Sequence, residues 1–192
     1  MIVDFKEASS ETKVNLMYST VIPRPIAWII TESKNEKIVN IAPFSFYSGV
    51  SSEPPVLMVS IGHKKDMIPK DTLRNIRETG KATICSVSPL EFSKMKETGL
   101  SLEYNRSEAK EFNIEVEKTL EDFPPIIKNT QTAFFVDLYQ EINLVGSTTV
   151  PLFLEIKQFY YDEKVYNKEN NEINLDVIGR IGKTFATLIP LK

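Results

Sequence analysis

Apolar residues in this chain fall mostly in short runs, bounded by polar loops and broken by proline. That pattern predicts strands more often than helices. Residues 26–31 form an apolar run with Ile26, Trp28 and Ile30 on one face. A polar loop over 32–37 separates it from 38–41, which predicts a hairpin. Residues 56–61 and 82–87 read as buried strands rich in β-branched side chains. Further strands are expected over 133–139, 152–160 and 172–175. Helices are expected to be few and short. Residues 71–80 carry Asp71 as an N-cap acid and a terminal Gly80. Ser88-Pro89-Leu90-Glu91 reads as a capping box that opens a helix ending at Gly99. Residues 107–112, with Ala109 and Phe112 inward, and residues 12–19 complete the set. The fold class this predicts is mainly β, a barrel with peripheral helices.

Composition narrows the function classes. The chain has 192 residues, 42% of them hydrophobic and 26% charged, which suits one globular domain over 1–192. Its net charge is −3 and no basic stripe is present, so nucleic acid is not an expected partner. The single cysteine, Cys85, lies in an apolar run, reads as a buried core residue and fits a reducing compartment. Acidic residues near the N-terminus argue against a signal peptide, and the longest uncharged runs, such as 39–52, are too short to span a bilayer. A cytoplasmic location without membrane contact is therefore expected. His63 is the only histidine and has no ligand spacing around it, so no metal site is expected. It reads as a loop residue. Gly182-Lys183-Thr184 resembles the end of a phosphate-binding loop, but Val177 stands where that loop needs glycine. No Gly-x-Gly-x-x-Gly fingerprint occurs, which argues against a separate dinucleotide domain.

Four segments carry candidate chemistry. Proline interrupts strand-like runs in Pro23-Arg24-Pro25, Asn40-Ile41-Ala42-Pro43-Phe44-Ser45-Phe46 and Ser51-Ser52-Glu53-Pro54-Pro55. Proline belongs at strand starts, edges or bulges, where backbone N–H and C=O groups can be left free. Such groups suit a flat, polar-edged ring. The plain alternative is a strand ending at a bulge, with Phe44 and Phe46 as core. Lys70-Asp71-Thr72-Leu73-Arg74-Asn75 places a lysine and a hydroxyl at a helix N-terminus, which suits a phosphate. Its alternative is a solvated charged helix face, and Asp71 would repel an anion unless it turned away. Arg24, pinned between prolines, reads either as an exposed anion contact or as a structural ion pair. Trp28 reads as core.

These segments resemble the flavin reductase-like proteins of the FMN-binding split-barrel superfamily. The matching pieces include Arg24-Pro25-Ile26-Ala27-Trp28, the 40–46 and 51–55 segments and Lys70 to Ile76. A fainter match joins Ile178-Gly179-Arg180-Ile181-Gly182 to Phe185-Ala186. The resemblance implies an antiparallel Greek-key split barrel and a homodimer with FMN at the subunit interface. It further implies NADH or NADPH as hydride donor. The flavin-contacting set it implies is Arg24, Ala27, Asn40, Ala42, Pro43, Phe44, Ser45, Ser51, Ser60, Lys70, Thr72 and Asn75. Backbone groups of Pro43 to Ser45 would face the ring edge, and Thr72 would hold the phosphate. No catalytic side chain is assigned, because the cofactor performs the hard step. An FMN-bearing electron carrier and a flavin-free binding module are the competing readings. Lys64, Lys65, Asp66 and Lys183 depart from the usual pattern and bear on donor preference. The charged segment 163–171 is expected to be a loop or hairpin.

Overall fold

The computed structural model describes residues 1–189. The chain begins with helix α1 (Ser10–Thr20) and strands β1 (Ala27–Glu32), β2 (Val39–Phe44), β3 (Tyr47–Ser52) and β4 (Pro55–Gly62). Helix α2 (Asp71–Thr79), strand β5 (Lys81–Cys85) and helices α3 (Phe92–Glu97) and α4 (Glu108–Glu111) follow. Next come β6 (Val116–Glu117), β7 (Ile126–Ile127), β8 (Thr132–Glu141) and β9 (Thr149–Tyr161). Three short hairpin partners and a fourth close the described chain: β10 (Tyr166–Asn167), β11 (Glu172–Ile173), β12 (Ile178–Ile181) and β13 (Thr184–Thr187).

The main sheet has seven strands in the order β2-β1-β5-β8-β9-β4-β3, and every pairing is antiparallel. Only Ser45 and Phe46 separate β2 from β3 in the chain, yet the two strands stand at opposite edges of that order. The sheet must therefore curl until its edges meet. They meet without forming a ladder, and Ser60 N–H donates to Phe46 C=O at 2.9 Å close to the gap. The result is a barrel that stays split between β2 and β3.

Alternation along the strands sorts the apolar residues into two cores. Inside the barrel, Ala27, Ile29, Leu57, Val59, Ile61, Ile84, Val136, Leu152 and Leu154 pack on Leu73 and Ile76 of α2. Leu73 and Ile76 are three residues apart on one helix face, and burying each contributes about 1.5–3 kcal/mol. Outside, Trp28, Ile30, Ile41, Cys85, Ala133 and Phe135 pack against Met95 of α3, Ala109 of α4 and the β6–β7 hairpin. Strand β1 serves both cores, so residues 27–31 are all buried. Trp28 is core, and its indole N–H donates to Thr98 Oγ1 at 2.9 Å. Cys85 is fully buried, and that burial pushes its thiol up to about 12, which makes it inert at neutral pH.

Several local expectations are corrected. Asp71 does not cap α2. Lys70 is the N-cap, without a side-chain hydrogen bond, while Gly80 ends the helix in the left-handed conformation (φ +74°) as its position suggested. The Ser88 side chain caps nothing, and a 3₁₀ turn over Pro89–Glu91 leads into α3. Ser51 and Ser52 end strand β3. Residues 174–175 lie outside any strand, and β10–β11 form a separate small hairpin. Pro43 produces no bulge, because the β1–β2 register runs unbroken from Ala27↔Phe44 to Glu32↔Val39. The irregularity lies instead between Gly49 and Ser51.

Proline is tolerated in β2 because β2 is an edge. The free side of that edge is covered from α4. Ile41 N–H donates to Glu108 Oε2 at 3.0 Å, and Ser107 Oγ–H donates to Val39 C=O at 2.6 Å. Pro43, two residues beyond Ile41 on the same side, has no N–H to cover.

Candidate functional site

A groove runs along the outer side of β2 past Pro43. It consists of two adjoining cavities that share Pro43, Phe44, Gly99 and Leu100 in their walls. The larger, about 330 Å³, is completed by Ile26, Ser45, Met95, Lys96, Arg180, Lys183 and Phe185. The smaller, about 60 Å³, reaches Asn40, Ala42, Lys64, Lys70, Asp71 and Thr72 at the start of α2. Gly99 permits the narrow join between them. A Cβ there would lie 3.2 Å from Lys96 C=O and 3.7 Å from Pro43 Cγ.

The α2 end of the groove is built on a buried polar network. Asn40 Nδ2 donates to Thr72 Oγ1 at 2.9 Å and to Thr31 Oγ1 at 3.3 Å. Asn75 Nδ2 donates to Thr31 Oγ1 at 3.0 Å, and Tyr104 O–H donates to Asn75 Oδ1 at 3.0 Å. This bolts the first turn of α2 to β1 and β2. It also fixes Thr72 Oγ1 as an acceptor from Asn40, leaving the hydroxyl hydrogen for another partner. Asp71 has turned away from the helix end: Lys64 Nζ lies 2.8 Å from its carboxylate. Lys70 has no ion-pair partner among the described residues, and its ammonium stands 5.7 Å from the centre of the Phe44 ring. An uncapped helix N-terminus beside a free ammonium and a hydroxyl is an anion site in kind.

Glu108 lies behind this end of the groove. Burial pushes its carboxyl above the usual carboxylate range, while the Ile41 N–H and the Lys64 charge oppose the shift. A raised folded-state pKa favours the protonated form, so the contribution is present at low pH and is lost as pH rises through that pKa. Glu108→Gln keeps an acceptor for Ile41 N–H and removes the buried charge. The stability of the wild type relative to this variant is expected to fall as pH rises from acidic to neutral, followed by urea unfolding. A pH-independent difference would contradict the assignment. Glu108→Ala orphans the N–H and is expected to cost about 1–3 kcal/mol at neutral pH.

Of the residues expected at the site, the groove gathers Asn40, Ala42, Pro43, Phe44, Ser45, Lys70 and Thr72. Others belong to the frame. Ala27 is wholly buried in the inner core, and Asn75 is buried within the polar network. Ser60 lies in β4, outside the groove wall, and Ser51 is exposed on β3. Arg24 is buried rather than exposed, and its partners are carbonyls and the Ser45 hydroxyl (Nε to Oγ, 3.4 Å) rather than carboxylates. Its guanidinium donates to Tyr18 C=O at 2.7 Å, Val21 C=O at 3.1 Å and Gly182 C=O at 3.1 Å. Burial and the neighbouring Arg180 charge push it down from the usual arginine range. His63 is half-buried, with Nδ1 3.0 Å from Thr148 C=O, and does not line the groove. None of the residues 163–171 lines it.

Sequence reasoning missed Met95, Lys96, Gly99 and Leu100 from α3 and its exit, and it singled out the segment of Arg180, Lys183 and Phe185 without assigning these residues to the wall opposite β2. Gly99 had a signal, but it was read only as a helix stop. Across Ile26 lies a second, apolar cavity of about 170 Å³, lined by Tyr47, Val87, Phe134 and Leu188 among others. No group of acidic, histidine or cysteine residues suited to a metal ion occurs among the described residues. No helix among them is long and apolar enough to cross a membrane.

The profile of the flavin reductase-like domain matches residues 17–173. An uncharacterized protein of Aquifex aeolicus (strain VF5) is 34% identical over 182 residues, which is 92% of this chain and 90% of that protein. Nitrilotriacetate monooxygenase component B from Bacillus cereus superposes with a TM-score of 0.92 at 24% identity, covering 100% of this chain and 97% of that one. Flavoredoxin of Desulfovibrio vulgaris (Miyazaki F) superposes with a TM-score of 0.77 at 16% identity, covering 100% and 96%.

Proposed function

The chain belongs to the flavin reductase-like family and has its split-barrel fold, and on that premise we propose that it is an FMN-dependent NAD(P)H:flavin oxidoreductase. The observation that carries this reading is the α2 end of the groove. Uncapped helix N–H groups, unpaired Lys70 and the free hydrogen of Thr72 converge there, while Lys64 draws Asp71 aside. One phosphate monoester satisfies that set. From this end the groove continues along Pro43 and Phe44 past Gly99, where a side chain would close it.

Bound FMN would supply the two-electron chemistry, accepting hydride from a reduced nicotinamide and passing it to a second flavin or another acceptor. The protein's part is binding and orientation. Lys70, Thr72 and the first turn of α2 would hold the phosphate. Ser45 Oγ, which accepts from Arg24 Nε at 3.4 Å, and the backbone of Pro43 to Ser45 would face the polar edge of the ring. Fixed donors of this kind stabilise charge on a reduced ring without reorganising. Ile26, Met95 and Phe185 provide an apolar wall that keeps water from the ring. No side chain is asked to act as acid or base.

A homodimer completes the reading. Val14, Met17 and Val50 are exposed apolar residues on α1 and β3, the kind of surface a second copy covers. Ser51, outside its own chain's groove, would then serve the partner's flavin.

Titration of the purified protein with FMN, followed by anaerobic NADH or NADPH, tests the proposal. Bound flavin that bleaches with either donor is expected. Bound flavin reduced by dithionite but by neither donor would replace the reductase with a protein-fed electron carrier. No FMN binding would overturn both.

A further inference from the structure

The ring end of the groove carries more positive charge than FMN can use. Lys96 of α3, Arg180 of β12 and Lys183 of the β12–β13 turn all line the cavity of about 330 Å³. Among the described residues none of the three forms an ion pair, although nine pairs form elsewhere. The chain does not lack carboxylates: it has 26 acidic residues against 23 basic ones. The two carboxylates at the groove, Asp71 and Glu108, belong to its other end and are already engaged by Lys64 and Ile41 N–H. Arg24 lies directly behind and adds a like charge, since it pairs backbone to backbone with Arg180. Like charges gathered around a cavity in an acidic protein focus a field that attracts an anion.

The turn that presents Lys183 is held in place. Gly182 adopts φ +54°, its carbonyl accepts from Arg24 at 3.1 Å, and its N–H donates to Tyr18 C=O at 3.1 Å. The Arg180 guanidinium lies over the Phe185 ring at 4.5 Å. FMN has one phosphate, and the α2 end accounts for it. A reduced ring carries at most one negative charge, so three cations without ion-pair partners at the ring end leave charge for a second anion. We propose that Arg180, Lys183 and Lys96 form a second anion subsite that binds the phosphates of the nicotinamide dinucleotide donor. The subsite rests on the FMN reading and gives the donor an anchor without a dinucleotide domain of its own. It also places the anchor beside the face that the nicotinamide must approach.

The test uses NADP⁺, which binds without turnover, titrated into FMN-loaded protein and followed by calorimetry. Arg180→Gln and Lys183→Gln are each expected to weaken NADP⁺ binding about tenfold, the loss of one charged hydrogen bond. The salt dependence of binding should become shallower in both variants, and FMN affinity should be unchanged. Lys183 is an exposed turn residue, so its variant tests the subsite even if Arg180→Gln folds poorly. Unchanged NADP⁺ affinity in the Lys183 variant would overturn the proposal. So would a parallel loss of FMN affinity, which would assign these cations to FMN itself. Wild-type protein that takes FMN but no NADP⁺ overturns the subsite alone. Wild-type protein that takes no FMN overturns the subsite together with the function it rests on.

Discussion

Leucine in place of Gly99 is expected to abolish FMN binding while the barrel stays folded. Gly99 borders both cavities, and even a single methyl there meets Lys96 C=O at 3.2 Å. Leucine would add its branch across the join with Pro43, where a phosphate-to-ring ligand has to pass. An affinity loss of at least about 100-fold, or some 2.8 kcal/mol, is expected. Gly99 is exposed and lies after α3, outside both cores, so the melting temperature should move by only about 2–4 °C. Gly99→Ala should give an intermediate loss, because the loop can give by a few tenths of an ångström. Flavin fluorescence titration and thermal unfolding separate the two effects. Full FMN affinity in the leucine variant would remove the groove from consideration.

Arg24→Met is expected to be the most damaging single change to stability. The variant removes the guanidinium that gathers the carbonyls of Tyr18, Val21 and Gly182, leaves Tyr18 C=O with Gly182 N–H alone, and takes the cation from beside the Tyr18 and Phe46 rings. A loss of about 3 kcal/mol follows from removing a buried cation together with its three charge-assisted hydrogen bonds to carbonyls. The damage should begin in α1. That helix has no buried residue, so its C-terminal end is attached largely through Arg24 and the edge-to-face pair of Tyr18 with Phe46. A helix of 11 residues does not persist alone in water. Amide exchange should therefore show α1 and the β12–β13 turn losing protection well before β1 and β5. Arg24→Lys should recover part of the loss, since an ammonium reaches fewer carbonyls than a guanidinium fork. Uniform loss of protection across the molecule would show that Arg24 is not a local clamp.

The central strands and α2 were legible because one local signal sufficed for each. The 26–31 run, the β-branched 82–87 run and the 71–80 segment with its terminal glycine all carry their own periodicity. Strand β3 carries none. Between Tyr47 and Ser52 only Val50 is apolar and four of the six residues are serine or glycine; all but Tyr47 are exposed, and the strand pairs only on one side with β4. Nothing local separates such an edge from a turn. Asp71 looked like a cap because sequence neighbours were the only partners in view, yet Lys64, seven residues earlier, wins its carboxylate. Arg24 was misjudged for the same reason, since Gly182 is 158 residues away. The groove itself was half legible. The β2 wall and the start of α2 lie in compact motifs, whereas the facing wall is assembled from the α3 exit and a distant hairpin. Such a wall exists only after the barrel has closed.

The covering of β2 has a consequence for the newly folded chain. An uncovered sheet margin invites a strand from a neighbouring molecule, and repetition of that step leads to fibres. Along β2 such an intruder would find Ile41 N–H already taken by Glu108, Val39 C=O taken by Ser107, and only a proline ring at position 43. The margin beside the groove thus offers no ladder to extend, and newly made chains can wait with the groove open without polymerising through it.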